Sequence, residues 1–360
     1  VQGSDKKSKR ALILACAFAT LRYLSFCPPW KGLPMKKTVL AAGIAAALLA
    51  APAFAQNAPA VLFDVGGKFD RSFNQAAFEG AERFKRETGV QYAEFEIRNT
   101  AEREQAIRNL ARRGASVVVA VGFSNRAAVE TVAKEFPDVK FTLIDSVVNL
   151  PNVQSITFRE HEGSFLVGMA AALASKTAKV GFVGGMDIPL IRKFAKGYEE
   201  GAKHVNPQID VVQNMTGTTP AAFADPTRGG ELARGQFDRG VDVVYAAAGA
   251  TGLGVYQAAK DANRLAIGVD SNQNHLHPGT MLTSMIKRVD VAVYNAMAEA
   301  RASTWKASVT SLGLKEEGVG YAIDTNNRAL VTADMERRIN EARDAIIAGR
   351  IQVTDVTATR

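Results

Sequence analysis

Cysteine is almost absent from this chain, whose 360 residues hold only Cys16 and Cys27. Everything downstream of Cys27 is therefore without disulfides, thiol nucleophiles or thiolate-held metals. Histidine is scarce too, at four residues. His275 and His277 share a polar loop with no acidic or further histidine partner at metal spacing, and His161 and His204 stand on expected helices without partners. No metal site, no cofactor and no catalytic residue is expected from this inventory. A G-x-S-x-G elbow and a G-x-x-x-x-G-K-S/T loop are both missing, which leaves an esterase-type nucleophile and a phosphate cradle unsupported. After residue 55 no apolar run approaches the ~18 residues of a membrane-spanning helix.

What is present begins with a leader. Met35-Lys-Lys, the apolar run Thr38–Ala50 and Ala53-Phe-Ala55 before Gln56 have the three-part build of a secretory signal peptide. Residues 35–55 are expected to be that peptide, with the secreted chain starting at Gln56. Residues 1–34, which open on Val1, are expected to reflect an upstream start in the gene model; the alternative is a longer leader with Ala11–Phe26 as an apolar anchor. The leader also carries the net charge. Of 44 Lys and Arg, eight (Lys6, Lys7, Lys9, Arg10, Arg22, Lys31, Lys36 and Lys37) precede Gln56, but of 36 acids only Asp5 does. Residues 56–360 are thus near neutral, with 36 bases against 35 acids, and nucleic acid is not an expected partner. Their 305 residues exceed one ordinary core and suit two lobes.

Apolar strands alternate with amphipathic helices, the pattern of an α/β fold with parallel sheets covered on both faces. Strands are expected at Val61–Val65, Tyr92–Ile97, Ser116–Val121, Lys140–Asp145 and Val153–Phe158, with helices near 73–87, 101–113 and 125–135. The plan then repeats, with strands at Lys179–Val183, Asp210–Gln213, Val241–Ala246 and Leu265–Val269 and helices near 160–175, 189–203, 227–238 and 252–262. After Gly279 it loosens to a strand at Met281–Met285 and helices near 289–304 and 333–348. Ser72 with Gln75, and Asn99 with Glu102, have the spacing of capping boxes.

The richest stretch is Val61-Leu-Phe-Asp-Val-Gly-Gly-Lys-Phe-Asp-Arg-Ser-Phe-Asn-Gln75. It joins a buried strand to a helix through a glycine-hinged loop, the kind of junction where open α/β sheets bind ligands. Its phenylalanines, beside Asp70 and Asn74, suit a flat, neutral, hydrogen-bonding ligand. Asp70-Arg-Ser-Phe-Asn74 with Gly80-Ala-Glu-Arg-Phe84 resembles the signature of the basic membrane protein family, the purine nucleoside receptor-like substrate-binding components of ABC transporters. The resemblance continues in order through Phe158-Arg-Glu-His-Glu-Gly-Ser-Phe-Leu-Val-Gly168, Gly184-Gly-Met-Asp-Ile-Pro189 with Phe194 and Gly197, Gly268-Val-Asp-Ser271 and Ser284-Met-Ile-Lys287, covering roughly residues 60 to 355.

The resemblance implies a two-lobed type I periplasmic binding protein whose doubly wound parallel sheets are joined by hinge strands. Lobe 1 is expected over 56–157, lobe 2 over 158–286, a return to lobe 1 over 287–318, and a C-terminal crossing and helix over 319–360. Thr157–Arg159, Ser284–Lys287 and Leu314–Tyr321 are the candidate crossings. It also implies capture of a purine nucleoside, or a purine base, for a membrane permease and its ATPase, by a monomer without enzymatic activity. Many members of the family begin at a lipid-bearing cysteine; Ala55-Gln56 stands there instead, which favours a soluble periplasmic protein. A receptor for another flat heterocycle, a sensory ligand-presenting protein and a secreted nucleoside-processing enzyme are the alternatives.

Six strand ends carry the candidate ligand-binding residues: Asp64 through Asn74, Gly122-Phe-Ser-Asn125, Asp145-Ser146, Gly184 through Phe194, Ala248-Gly-Ala-Thr251 and Asp270-Ser-Asn272. Asp64 and Ser72 belong to the first of these, Phe123 to the second and Gly249 to the fifth. Asp70 and Asn74 are expected on a purine edge, although Asp70 also suits a helix cap. Phe69 is expected to stack on the ring from the loop, with Phe194 opposite it, while Phe73 starts the apolar stripe of its helix. Asp270 is placed to accept ribose hydroxyls, with Lys287 balancing its charge, and Asp145 fits either a ligand or a cap.

Overall fold

The computed structural model describes residues 57–358. The expected signal peptide, the segment before it, both cysteines and Gln56 lie outside the described residues. The first run of elements is β1 (Ala60–Phe63), α1 (Phe73–Thr88), β2 (Ala93–Glu96), α2 (Arg103–Arg112), β3 (Val118–Ala120), α3 (Arg126–Glu135), β4 (Phe141–Ile144) and β5 (Val153–Phe158). The second is α4 (Glu160–Ala174), β6 (Lys179–Met186), α5 (Pro189–Val205), β7 (Asp210–Gly217), α6 (Pro226–Asp238), β8 (Val243–Ala247), α7 (Gly252–Asp261), β9 (Leu265–Asp270) and β10 (Met281–Lys287). The chain ends with α8 (Val289–Arg301), β11 (Ser308–Leu312), β12 (Val319–Tyr321) and α9 (Ala333–Ile347).

These strands form two sheets, ordered β11-β5-β4-β3-β1-β2 and β12-β10-β9-β8-β6-β7. Five strands in each follow one doubly wound pattern, in which the second strand lies outside the first and the third crosses to its other side. All pairs are parallel except β10 with β12. Such sheets are covered on both faces, so their central strands read as unbroken apolar runs: β1 and β8 are buried along their whole length. The chain passes between the sheets three times, between Phe158 and Glu160, between Lys287 and Val289, and over residues 313–318. Accordingly α8 packs back on α1 in the first lobe, and α9 packs on α4 in the second.

Most differences from the expected elements are shifts of boundary. The exception is β11, which no periodicity announced. Its sequence Ser-Val-Thr-Ser-Leu is exposed on both faces at the edge of its sheet, so no buried face imposes an alternation. The Asn99 capping box forms as read. The one at Ser72 does not: the Ser72 side chain makes no cap bond, and Asp70 caps α1 by accepting the backbone N–H groups of Ser72, Asn74 and Gln75. Gly89 closes the same helix at φ 70°, a left-handed turn that favours glycine.

Candidate functional site

In a doubly wound sheet the loops beyond the C-terminal strand ends, beside the point where strand order reverses, frame a crevice. Here the crevices of the two lobes face each other and enclose a cavity of about 590 Å³, including its opening to solvent. That lies in the range of small-molecule sites. The first lobe contributes Asp64 after β1, Asp70, Phe73 and Asn74 at the start of α1, Phe123 after β3 and Asp145 after β4. The second contributes Phe194 on α5, Gly249 after β8, Asp270 at the end of β9 and Lys287 at the end of β10.

Of the twelve residues singled out in the sequence, this cavity gathers ten; Phe69 and Ser72 are not on its wall. Phe69 is 64% exposed and rests edge-on against Phe78, with ring centroids 5.3 Å apart. The Lys68 ammonium lies 5.4 Å from the Phe69 ring centroid. Phe73, a candidate for either the ring or the core stripe, lines the cavity and also packs against the core. Ser72 bridges the lobes, with its hydroxyl donating to Asp270 Oδ2 at 2.6 Å.

The expected edge readers are also engaged. Asp70 has both oxygens on the helix cap, and burial raises its carboxyl above the ordinary range despite those three N–H donors. Asn74 Oδ1 accepts the Asp64 N–H at 2.9 Å and its amide donates back to Asp64 O at 3.3 Å, bracing the end of β1. Asp64 is held by the buried Arg103 guanidinium, itself bonded to Asn125 Oδ1 at 3.2 Å. Gly122, at φ 105°, leaves the space that the Asp64 carboxylate fills.

Two strand-end carboxylates share an unusual backbone. Asp145 and Asp270 have φ of 70° and 65°, left-handed positions that cost non-glycine residues energy and cluster where function holds them. Burial raises both, Asp270 to about 7, although Lys287 and the Ser72 hydroxyl pull the latter down. Lys287 was expected to neutralise Asp270. Its ammonium instead pairs with Asp145 at 2.6 Å and Glu160 at 3.1 Å. Burial pushes Lys287 down, but Asp145, Glu160 and Asp270 outweigh it and hold the ammonium above its usual value. The same nitrogen lies 5.1 Å from the Phe73 ring centroid, 5.0 Å from Phe158 and 5.6 Å from Phe194, within cation–π range.

Sequence reasoning passed over Phe223, which meets Phe123 from the other lobe at 6.3 Å between centroids; Leu190 and Ile191, within the Gly184–Phe194 stretch but not singled out there, complete the apolar wall. It also passed over Glu160 and Lys193 behind Lys287. Phe223 ends the single 3-10 turn Pro220–Phe223 and is half-buried, and so short an element has no periodicity to mark its ring. A cavity of aromatic walls with a few fixed carboxylates and one ammonium can enclose a flat, hydroxyl-bearing solute.

Comparison with known proteins agrees with this fold. A solved ABC transporter system solute-binding protein from Aeropyrum pernix K1 superposes with a TM-score of 0.76 at 32% identity, over 82% of this chain and 92% of that one. The architecture is that of the type I periplasmic solute-binding proteins. An uncharacterized lipoprotein of Pyrococcus horikoshii is 39% identical over 280 residues, covering 73% of this chain and 68% of its own. An ABC transporter nucleoside-binding protein of Lactococcus lactis subsp. cremoris is 32% identical over 317 residues, covering 82% and 88%. The family model described as ABC transporter substrate-binding protein PnrA-like matches residues 58–357. The chain belongs to this Bmp family of substrate-binding proteins, a family of solute binders rather than enzymes.

Proposed function

We propose that this protein is the extracytoplasmic receptor of an ABC importer and captures a purine nucleoside between its two lobes. The observation that carries the reading is the cavity itself: Phe73, Phe123, Phe194 and Phe223 supply flat apolar walls, and Asp270 supplies a buried strand-end acceptor. The Lactococcus relative, described as nucleoside-binding, supports the ligand class. In this reading the base lies between Phe73 and Phe194, and the ribose hydroxyls donate to Asp270, sharing or displacing the Ser72 hydroxyl. Lobe closure then presents a surface that a permease recognises. The protein acts as a monomer released at Gln56, without the lipid anchor that the Pyrococcus name implies for that relative.

Calorimetry against adenosine, guanosine, 2′-deoxyadenosine and adenine tests the ligand. Adenosine should bind more tightly than 2′-deoxyadenosine, and adenine weakly. Equal affinities for adenine and adenosine would make the protein a receptor for the base, and no binding of any of the four would defeat the reading. Intact-mass measurement of periplasmic material checks the start at Gln56; a lipid-modified terminus would overturn it.

A further inference from the structure

Behind the cavity lies a buried chain of alternating charge. Lys287 closes β10 immediately before one passage between the lobes, and Glu160 opens α4 immediately after another. Glu160 is wholly buried, yet neither of its oxygens accepts a well-angled hydrogen bond. Its partners are two ammonium groups, Lys287 at 3.1 Å and Lys193 at 2.8 Å. Burial alone would raise the Glu160 carboxyl, but the two lysines hold it low and charged. Lys193, on α5, also donates to Phe158 O at 2.7 Å, the last carbonyl of β5 before the chain crosses. Glu160, Lys193 and Lys287 therefore belong to the second lobe, whereas Asp145 reaches Lys287 from the first. Asp270, also in the second lobe, adds to the field at Lys287 but forms no ion pair with it.

Lys287 thus has one carboxylate that would leave when the lobes part and one that would stay. An ammonium in an apolar, aromatic setting is costly without a partner. We propose that Glu160 is a positioning residue for the binding cycle: it keeps Lys287 paired when Asp145 withdraws, and so sets the balance between open and closed lobes. Lys193 tempers that hold by drawing on the same carboxylate. The proposal rests on the reading of the protein as a receptor that closes on its ligand.

The two side chains then have opposite effects. Glu160→Gln leaves Lys287 with Asp145 as its sole ion-pair partner, so opening becomes costlier. Its ligand-free protein should show a smaller radius of gyration by small-angle X-ray scattering, and adenosine association in stopped flow should slow about tenfold, the scale of one charge-assisted hydrogen bond. Lys193→Met gives Glu160 wholly to Lys287 and should expand the ligand-free protein. Should Glu160→Gln fail to fold, the pair Glu160→Gln with Lys193→Gln removes both charges and is expected to close in the same way. Scattering unchanged from wild type, or shifts of the same sign in Glu160→Gln and Lys193→Met, would overturn the proposal, since a merely structural role moves both alike. Because scattering is read without ligand, failure of wild type to bind adenosine would defeat the ligand reading separately.

Discussion

Ser72 and Asp270 meet across the cleft: the hydroxyl of one lobe donates to the carboxylate of the other at 2.6 Å. Ser271 Oγ returns a bond to Ser72 O at 3.0 Å, and Gln273 Nε2 donates to Arg71 O at 2.8 Å. The start of α1 is thus tied to the end of β9 and the loop after it by these bonds and by a longer one from the Ser72 hydroxyl to Val269 O at 3.3 Å, and the acceptor nearest the proposed ribose is also part of the latch.

This placement makes stability depend on pH. Burial, ahead of the opposing pull of Lys287 and Ser72, raises Asp270 to about 7, and Asp70 and Asp145 move in the same direction. Unfolded aspartate titrates near pH 3.9, so between about pH 4 and 7 Asp270 binds more protons in the folded state and its own contribution to stability falls as pH rises. Asp270→Asn removes its share of that cost, which is of order 1–4 kcal/mol. Thermal unfolding of the ligand-free variant should therefore show its largest gain over wild type at pH 8 and little gain at pH 4. An equal gain at both would contradict the assignment.

Phe73 and Phe69 should separate cleanly. Phe73→Ala and Phe194→Ala each remove a cavity wall and should weaken adenosine and guanosine alike, since stacking is worth about 0.5–1.5 kcal/mol beyond the area buried. Phe69→Ala should leave both affinities near wild type. Calorimetry on the three variants decides, and a loss confined to Phe69→Ala would place the platform on the loop after all.

Asp70 is expected to matter for stability before it matters for binding. Asp70→Ala takes the acceptor from three backbone N–H groups and should cost about 1–2 kcal/mol in denaturant unfolding. Asp70→Asn retains one acceptor and should cost less. Equal losses would show that the charge, not the cap, is what the fold uses.

Glycine substitutions probe helix packing. A Cβ at Gly201 of α5 would strike the backbone of Phe165 in α4, whereas one at Gly235 of α6 meets nothing within 4 Å. Gly201→Ala should destabilise by about 1–3 kcal/mol or more. Gly235→Ala should stabilise by roughly 0.5–1 kcal/mol, because glycine in a helix interior loses more conformational freedom on folding. Urea midpoints of both variants provide the check.

Much of the fold was legible because its signals are local. Buried runs such as Val61-Leu62-Phe63 announce central parallel strands, and Gly89 marks a helix end through its left-handed backbone. The strand-end positions of Asp145 and Asp270 followed from the same periodicity, since a doubly wound sheet aligns all its C-terminal ends. Direction and partnership were not legible. Whether Phe69 or Phe73 faces the cavity depends on how two glycines turn one loop, at φ of 111° and 76°. That Ser72 reaches Asp270 and that Lys287 chooses Asp145 and Glu160 are matters of pairing between residues as much as 198 positions apart. The amino-acid order by itself determined which segments become strands and helices, because backbone preference and apolar periodicity act over a few residues. Only the tertiary structure decided which charges meet, because the desolvation that forces a buried charge to find a partner exists only once the two lobes have packed.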